Sequence, residues 1–77
     1  MKELLTAIVS GLVENPDEIS VTVDEPDEEG VVCYHLHVAE SDMGRVIGRQ
    51  GRIAKAIRVV MRAAASRQNE KISVEID

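Results

Sequence analysis

Phenylalanine and tryptophan are absent from this 77-residue chain, tyrosine occurs once, and cysteine occurs once. A core here must therefore be built from Ile, Val, Leu, Ala and Met. The lone Cys33 excludes an intramolecular disulfide and suits a reducing compartment. Long apolar runs are also missing. No stretch approaches the roughly 20 residues that cross a bilayer. The opening Met1-Lys2-Glu3-Leu4-Leu5, with Gly11 and Glu14 soon after, is a poor secretory signal. Cytoplasmic location without a membrane partner is the expectation. The length fits one small domain, residues 1–77, and leaves no room for a catalytic domain beside a binding domain. Domains of this size are marginally stable, so a partner subunit would help.

Acid is absent from one third of the chain. Between Met43 and Arg67 there are seven cations and no carboxylate: Arg45, Arg49, Arg52, Lys55, Arg58, Arg62 and Arg67. Outside it, Lys2 and Lys71 stand against all fourteen Asp and Glu residues. The segment is thus +7 and the remainder −12, which gives the net −5. Phosphate responds to local potential, screened over about 8 Å at physiological salt. The net charge is the wrong quantity on which to exclude nucleic acid.

Residues 2–14 read as a helix, with Leu4, Leu5, Ile8, Val9, Leu12 and Val13 in a broad apolar stripe that Asn15-Pro16 ends. Residues 19–24 alternate, Ile19, Val21 and Val23 to one side, and read as a strand. An acidic turn with Pro26 and Gly30 leads to a second strand over 31–39, with Val32, Tyr34, Leu36 and Val38 inward. The short connection predicts an antiparallel hairpin. Ser41-Asp42 are placed to cap a short helix over 43–47. A longer helix follows over 52–66, with Ile53, Ala56, Ile57, Val60 and Ala64 on one face and Arg52, Lys55, Arg58 and Arg62 on the other. Met43 and Met61 read as core filling. Residues 71–76 form a last strand, expected parallel to the second because it arrives through a helical crossover. The class is α+β, order αββααβ, a three-stranded mixed sheet with its helices on one face.

Gly48-Arg49-Gln50-Gly51 separates the last two helices. Glycine admits backbone angles closed to other residues and lets main chain approach a ligand closely. The helix that follows offers free amides and the positive end of its dipole at the same place. Arg49 and Arg52 add charge, and Gln50 adds uncharged donors and acceptors. A lone GxxG is weak, because a plain helical corner also needs glycine. The longer string Val46-Ile47-Gly48-Arg49-Gln50-Gly51-Arg52-Ile53-Ala54-Lys55-Ala56-Ile57 is more specific. It resembles the signature of KH domains, and a leading helix with a final strand resembles their type II arrangement. A minimal KH domain of this length is similar in particular to the small KhpA-type RNA-binding proteins of bacteria.

That resemblance implies single-stranded RNA held along the GxxG loop, about four nucleotides in a groove. By position, Gly48, Arg49, Gln50 and Gly51 inherit the phosphate grip. Val46, Ile47 and Ile53 line or support the groove, and Arg45, Arg52 and Lys55 complete the RNA-binding set. It further implies an RNA chaperone or post-transcriptional regulator that affects cell-wall synthesis and cell shape, as a homodimer or with a KhpB (Jag)-type partner. With no aromatic platforms, which are worth about 1–3 kcal/mol per base, binding should be weak, salt-sensitive and modestly selective. The acidic stretch from Asp24 to Glu29 should confine RNA to one face. The competing expectation is a protein-interaction subunit whose loop is vestigial.

Cys33, His35 and His37 alternate along one strand face. Zinc asks for about four ligands, no second Cys/His cluster exists, and alternate strand positions are about 6.5 Å apart. The expectation is no metal or cofactor there, and a face that is solvated or turned to a partner. No Lys-Ser/Thr follows the glycine loop, so it is not a Walker-type phosphate loop. No catalytic constellation is visible, and an enzyme is not expected.

Overall fold

The computed structural model describes residues 1–76. Helix α1 covers Lys2–Ser10, strand β1 Ser20–Val23, strand β2 Val31–His37, helix α2 Met43–Ile47, helix α3 Arg52–Arg67 and strand β3 Lys71–Ile76. Tight 3-10 turns occupy Pro16–Glu18, Glu40–Asp42 and Arg49–Gly51. The sheet order is β1-β2-β3. β1 and β2 pair antiparallel, Val21 opposite Leu36, and β2 and β3 pair parallel, Tyr34 opposite Val74. The expected αββααβ order and mixed sheet are what forms.

Alternation decides the sheet's inner face. Val21, Tyr34, Leu36, Ile72 and Val74 are buried against Leu5, Val9, Ile57 and Met61 from the helices. Leu5, Val9, Leu36 and Met61 are sealed from solvent, each gaining about 1.5–3 kcal/mol relative to exposure. Met61 is core filling as expected.

Three local expectations are corrected. Helix α1 stops at Ser10, not at residue 14, because the amides of Glu14 and Asn15 donate to the Asp42 carboxylate at 3.1 and 3.0 Å instead of to helix carbonyls. Asp42 itself makes no capping bond to α2. Its reach is back across 28 residues of chain.

The buried stripe of α3 is Ala54, Ile57, Met61 and Ala65. It is turned from the expected one, so Ala56 and Val60 are exposed and Arg58 is half-buried. Two small alanines let the helix lie close on the sheet. Arg58 Nε reaches the Val74 carbonyl at 3.1 Å, which caps part of the open edge of β3. At its far end α3 closes with Asn69 in the left-handed region, φ 59. Glu70 N donates to Ala65 O and Asn69 N to Ser66 O, a Schellman arrangement that satisfies the last carbonyls.

Candidate nucleic-acid interface

The loop between α2 and α3 is shaped by three residues of positive φ: Gly48 at 74°, Gln50 at 57° and Gly51 at 74°. Gly48 has ψ 175°, a combination essentially reserved to glycine. A methyl group built on Gly48 would also lie 2.6 Å from Ile53 Cγ1. Gly51 is left-handed with open space around it. The loop closes through Gly51 N to Gly48 O at 3.2 Å and Arg52 N to Arg49 O. The amides of Arg49 and Gln50 take no part in those closures.

Helix α3 begins against the usual rules for helix stability. Its N-cap, Gly51, makes no side-chain capping bond, and no acidic residue stands in its first turn. Arg52 and Lys55 stand there instead. Cations near a helix N-terminus are unfavourable by about 0.3–1 kcal/mol each. Unsatisfied amides, a positive dipole end and added cations leave a concentrated positive site that an external anion would neutralise. Arg49, Gln50, Arg52 and Lys55 are all exposed. Among the described residues, no carboxylate pairs with Arg49, Arg52 or Lys55. Arg52 only reaches Gln50 Oε1 at 3.4 Å.

The remaining candidates separate into two groups. Ile47 is 37% exposed beside the loop, and half-buried Ile53 wedges under Gly48. Val46 is fully buried and supports the loop from the core without lining a groove. Arg45 is engaged by carboxylates: its Nη2 lies 2.8 Å from Glu14 Oε1 and its Nε 3.5 Å from Asp42 Oδ1. It ties α2 to the chain that follows α1.

Asp42 organises this junction, although no motif in the sequence marks it for more than a local helix cap. It is 1% exposed and accepts from Glu14 N, Asn15 N and Asn15 Nδ2. The backbone donor of Glu14 is the largest influence holding its pKa below the ordinary 3.8, with Asn15 and Arg45 adding to it against the opposing effect of desolvation. A carboxylate whose pKa is lowered by folding contributes stability that is fully present above its unfolded value and is lost as pH falls through the folded one. The unfolding free energy of the wild type should therefore exceed that of Asp42→Asn by a constant amount at pH values about a unit or more above the ordinary 3.8. That margin should shrink as the pH is lowered further. Urea unfolding of both proteins across the acid range measures it.

A second surface lies nearby. Between α1 and α3 runs an apolar groove of about 340 Å³, walled by Ile8, Leu12, Ile53, Ala56, Ile57 and Val60, with Arg52 beside them. Val60 in its wall is 48% accessible, and its neighbour on α3, Val59, is an exposed apolar residue at 58%. The groove follows from the rotation of α3, since side chains expected in the core stand outside it. No helix is long and apolar enough to cross a membrane.

With that geometry in place, comparison with known proteins is direct. The family described as KhpA/KhpB, KH domain, matches residues 2–76. An RNA-binding protein KhpA of Clostridium acetobutylicum is 51% identical over 76 residues, covering 99% of each chain. The Listeria monocytogenes protein of the same name is 47% identical, covering 99% of this chain and 97% of its own. That of Chlamydia trachomatis is 43% identical, covering 99% and 95%. The glycine loop at the head of α3, the αββααβ order and these full-length similarities agree: the chain belongs to the KhpA/KhpB family of KH domains, which is not a family of enzymes.

Proposed function

We propose that the chain binds single-stranded RNA, with the sugar-phosphate backbone held by the Gly48–Gly51 turn and the first turn of α3. The observation that carries this reading is the uncapped, acid-free, doubly cationic start of α3 behind a loop whose first residue, Gly48, has a conformation essentially reserved to glycine. Arg49, Arg52 and Lys55 supply charge, and Gln50 supplies neutral hydrogen bonding. Ile47 and Ile53 offer bases an apolar floor beside the loop. The relatives' names as RNA-binding proteins support the same ligand. Binding is weak for one chain, because no aromatic platform is present.

The wider role we propose is that of a cytoplasmic RNA chaperone or post-transcriptional regulator. It acts as a homodimer or with a KhpB (Jag)-type partner, and affects cell-wall synthesis and cell shape through its RNA targets. The exposed groove between α1 and α3, with Val59 and Val60, supports association. Pairing would place two weak loops on one RNA and raise their effective concentration. The same surface favours a second reading, a protein-interaction subunit with a vestigial loop.

Fluorescence anisotropy with short single-stranded RNAs across a salt series separates the two. About three phosphate contacts predict a log–log slope of about −2, from roughly −0.7 per contact on a single strand. Sedimentation of the same samples reports the association state. A stable dimer with no RNA affinity even at low salt would favour the interaction subunit.

A further inference from the structure

The face of the sheet turned away from the helices carries chemistry that the loop does not use. Asp24 extends the β1–β2 ladder by one step, donating its amide to Cys33 O at 2.9 Å. That brings a carboxylate from the end of β1 beside the thiol on β2. His35 follows two residues along β2, on the same face. One ligand atom from each of Asp24, Cys33 and His35 lies within 4.8 Å of the other two. The sequence alone offers Cys33, His35 and His37 along one strand face, and nothing in it places Asp24 beside them. The hairpin register does.

The donor set is chemically mixed in a way that selects a cation. Carboxylate oxygen, imidazole nitrogen and sulfur together suit a borderline-soft divalent ion such as Zn²⁺, and are a poor set for Ca²⁺ or Mg²⁺. Tetrahedral zinc, with bonds of about 2.0–2.3 Å, sets adjacent ligand atoms about 3.3–3.7 Å apart. All three ligand atoms lie within 4.8 Å of one another. His35 Nε2 and Asp24 Oδ2, hydrogen-bonded at 2.7 Å, would have to part by under about 1 Å to share an ion. Asp24 is exposed and the other two are half-buried, so small side-chain rotations close the difference.

Two further observations point to a cation here. His35 stands directly opposite Glu75 on β3, and its Nδ1 lies 3.5 Å from Glu75 Oε2. A carboxylate behind a ligating imidazole fixes its tautomer and raises its basicity. In the metal-free protein Nε2 donates to Asp24 Oδ2 at 2.7 Å; a cation would take the place of that proton, leaving Nδ1 as the protonated nitrogen facing Glu75. The surroundings are also strongly negative, because Glu25, Asp27, Glu28 and Glu29 follow Asp24 in the hairpin loop. That field concentrates cations at this end of the sheet.

We propose that Asp24, Cys33 and His35 form a three-ligand site for a zinc-class divalent cation, with Glu75 positioning the imidazole and a solvent molecule completing the tetrahedron. Bound metal would tie the end of β1 to β2 and stabilise the hairpin, independently of the RNA-binding loop.

The test is Co²⁺ titration of the reduced full chain. One equivalent should produce a sulfur-to-cobalt charge-transfer band with the intense visible bands of four-coordinate cobalt, and Zn²⁺ should displace both. Cys33→Ser should abolish the charge-transfer band. Asp24→Asn and His35→Gln should each weaken binding at least about tenfold, and Glu75→Gln by about 10- to 100-fold. His37→Gln, next along the same face, should change nothing. Asp24 is exposed, so Asp24→Asn carries the test should Cys33→Ser fail to fold. RNA affinity should be unaltered in every variant. Absence of the charge-transfer band in the wild type would overturn the proposal. So would wild-type affinity in both Asp24→Asn and His35→Gln, which would mark a simple thiol adduct.

Discussion

Replacing Arg49 and Gln50 together by aspartate should lower RNA affinity at least about a hundredfold at low salt, about 2.7 kcal/mol, while the protein stays folded. The change removes one positive charge and adds two negative ones at the tip of the turn. Like charges some 4 Å apart near a protein surface repel by about 1–4 kcal/mol, so two carboxylates facing a phosphate suffice for that loss. Stability should move the other way. Both side chains are exposed. Gln50 sits at φ 57, where aspartate is among the better-tolerated non-glycine residues. Acidic residues just before a helix also favour its dipole. The variant should therefore unfold at the wild-type midpoint or above it. Anisotropy and thermal unfolding on one sample distinguish lost recognition from a lost fold, and unchanged affinity would contradict the assignment of the loop.

Gly48→Ala should be the most damaging single-methyl substitution in the loop, costing about 3 kcal/mol or more. Two terms add. The backbone at φ 74, ψ 175 is costly for any residue with a Cβ, by about 1–3 kcal/mol. The new methyl group also meets Ile53 at 2.6–2.9 Å, so that side chain must move. At about 4–8 °C per kcal/mol for a chain of this size, the melting temperature should fall by roughly 15–20 °C. Gly51→Ala should cost less, about 1–2 kcal/mol, since it bears a backbone term without the collision. Calorimetry of the Gly48→Ala and Ile53→Ala single and double variants resolves the two contributions. Equal melting temperatures for Gly48→Ala and wild type would mean that the turn does not have the shape described.

Local chemistry is what the sequence exposes. Alternation in β1, β2 and β3, the glycine pair and the apolar string after it suffice for the element order, the strand directions and the position of the loop. Contacts between distant segments are not written that way. Nothing near Asp42 announces that its carboxylate will capture amides at residues 14 and 15. Its place before α2 instead suggests a local cap. The same capture shortens α1, which its unbroken apolar stripe extends to residue 14.

The rotation of α3 is a second such case. Its sequence carries apolar residues on more than one face, and the choice among them is made by the close approach that Ala54 and Ala65 permit. Ala56 and Val60 are consequently surface residues. Arg58, expected among solvated cations, instead bonds the open strand edge at Val74. Asp24 beside Cys33 is a third case, visible only once the hairpin register is known. Charge segregation along the chain, by contrast, survives folding. The exposed cations of the loop and first turn of α3 stand without carboxylate partners among the described residues, while Arg45, the cation before the loop, is engaged by Glu14 and Asp42.

The most direct measurement of the central claim is an amide chemical-shift titration of the ¹⁵N-labelled protein with a short single-stranded RNA. The account predicts that the largest shifts fall on Arg49, Gln50, Gly51, Arg52 and Ile53, the main chain of the turn and the opening of α3. Saturable binding whose shifts instead cluster on the outer sheet face, around Cys33 and His35, with the turn unmoved, would contradict it.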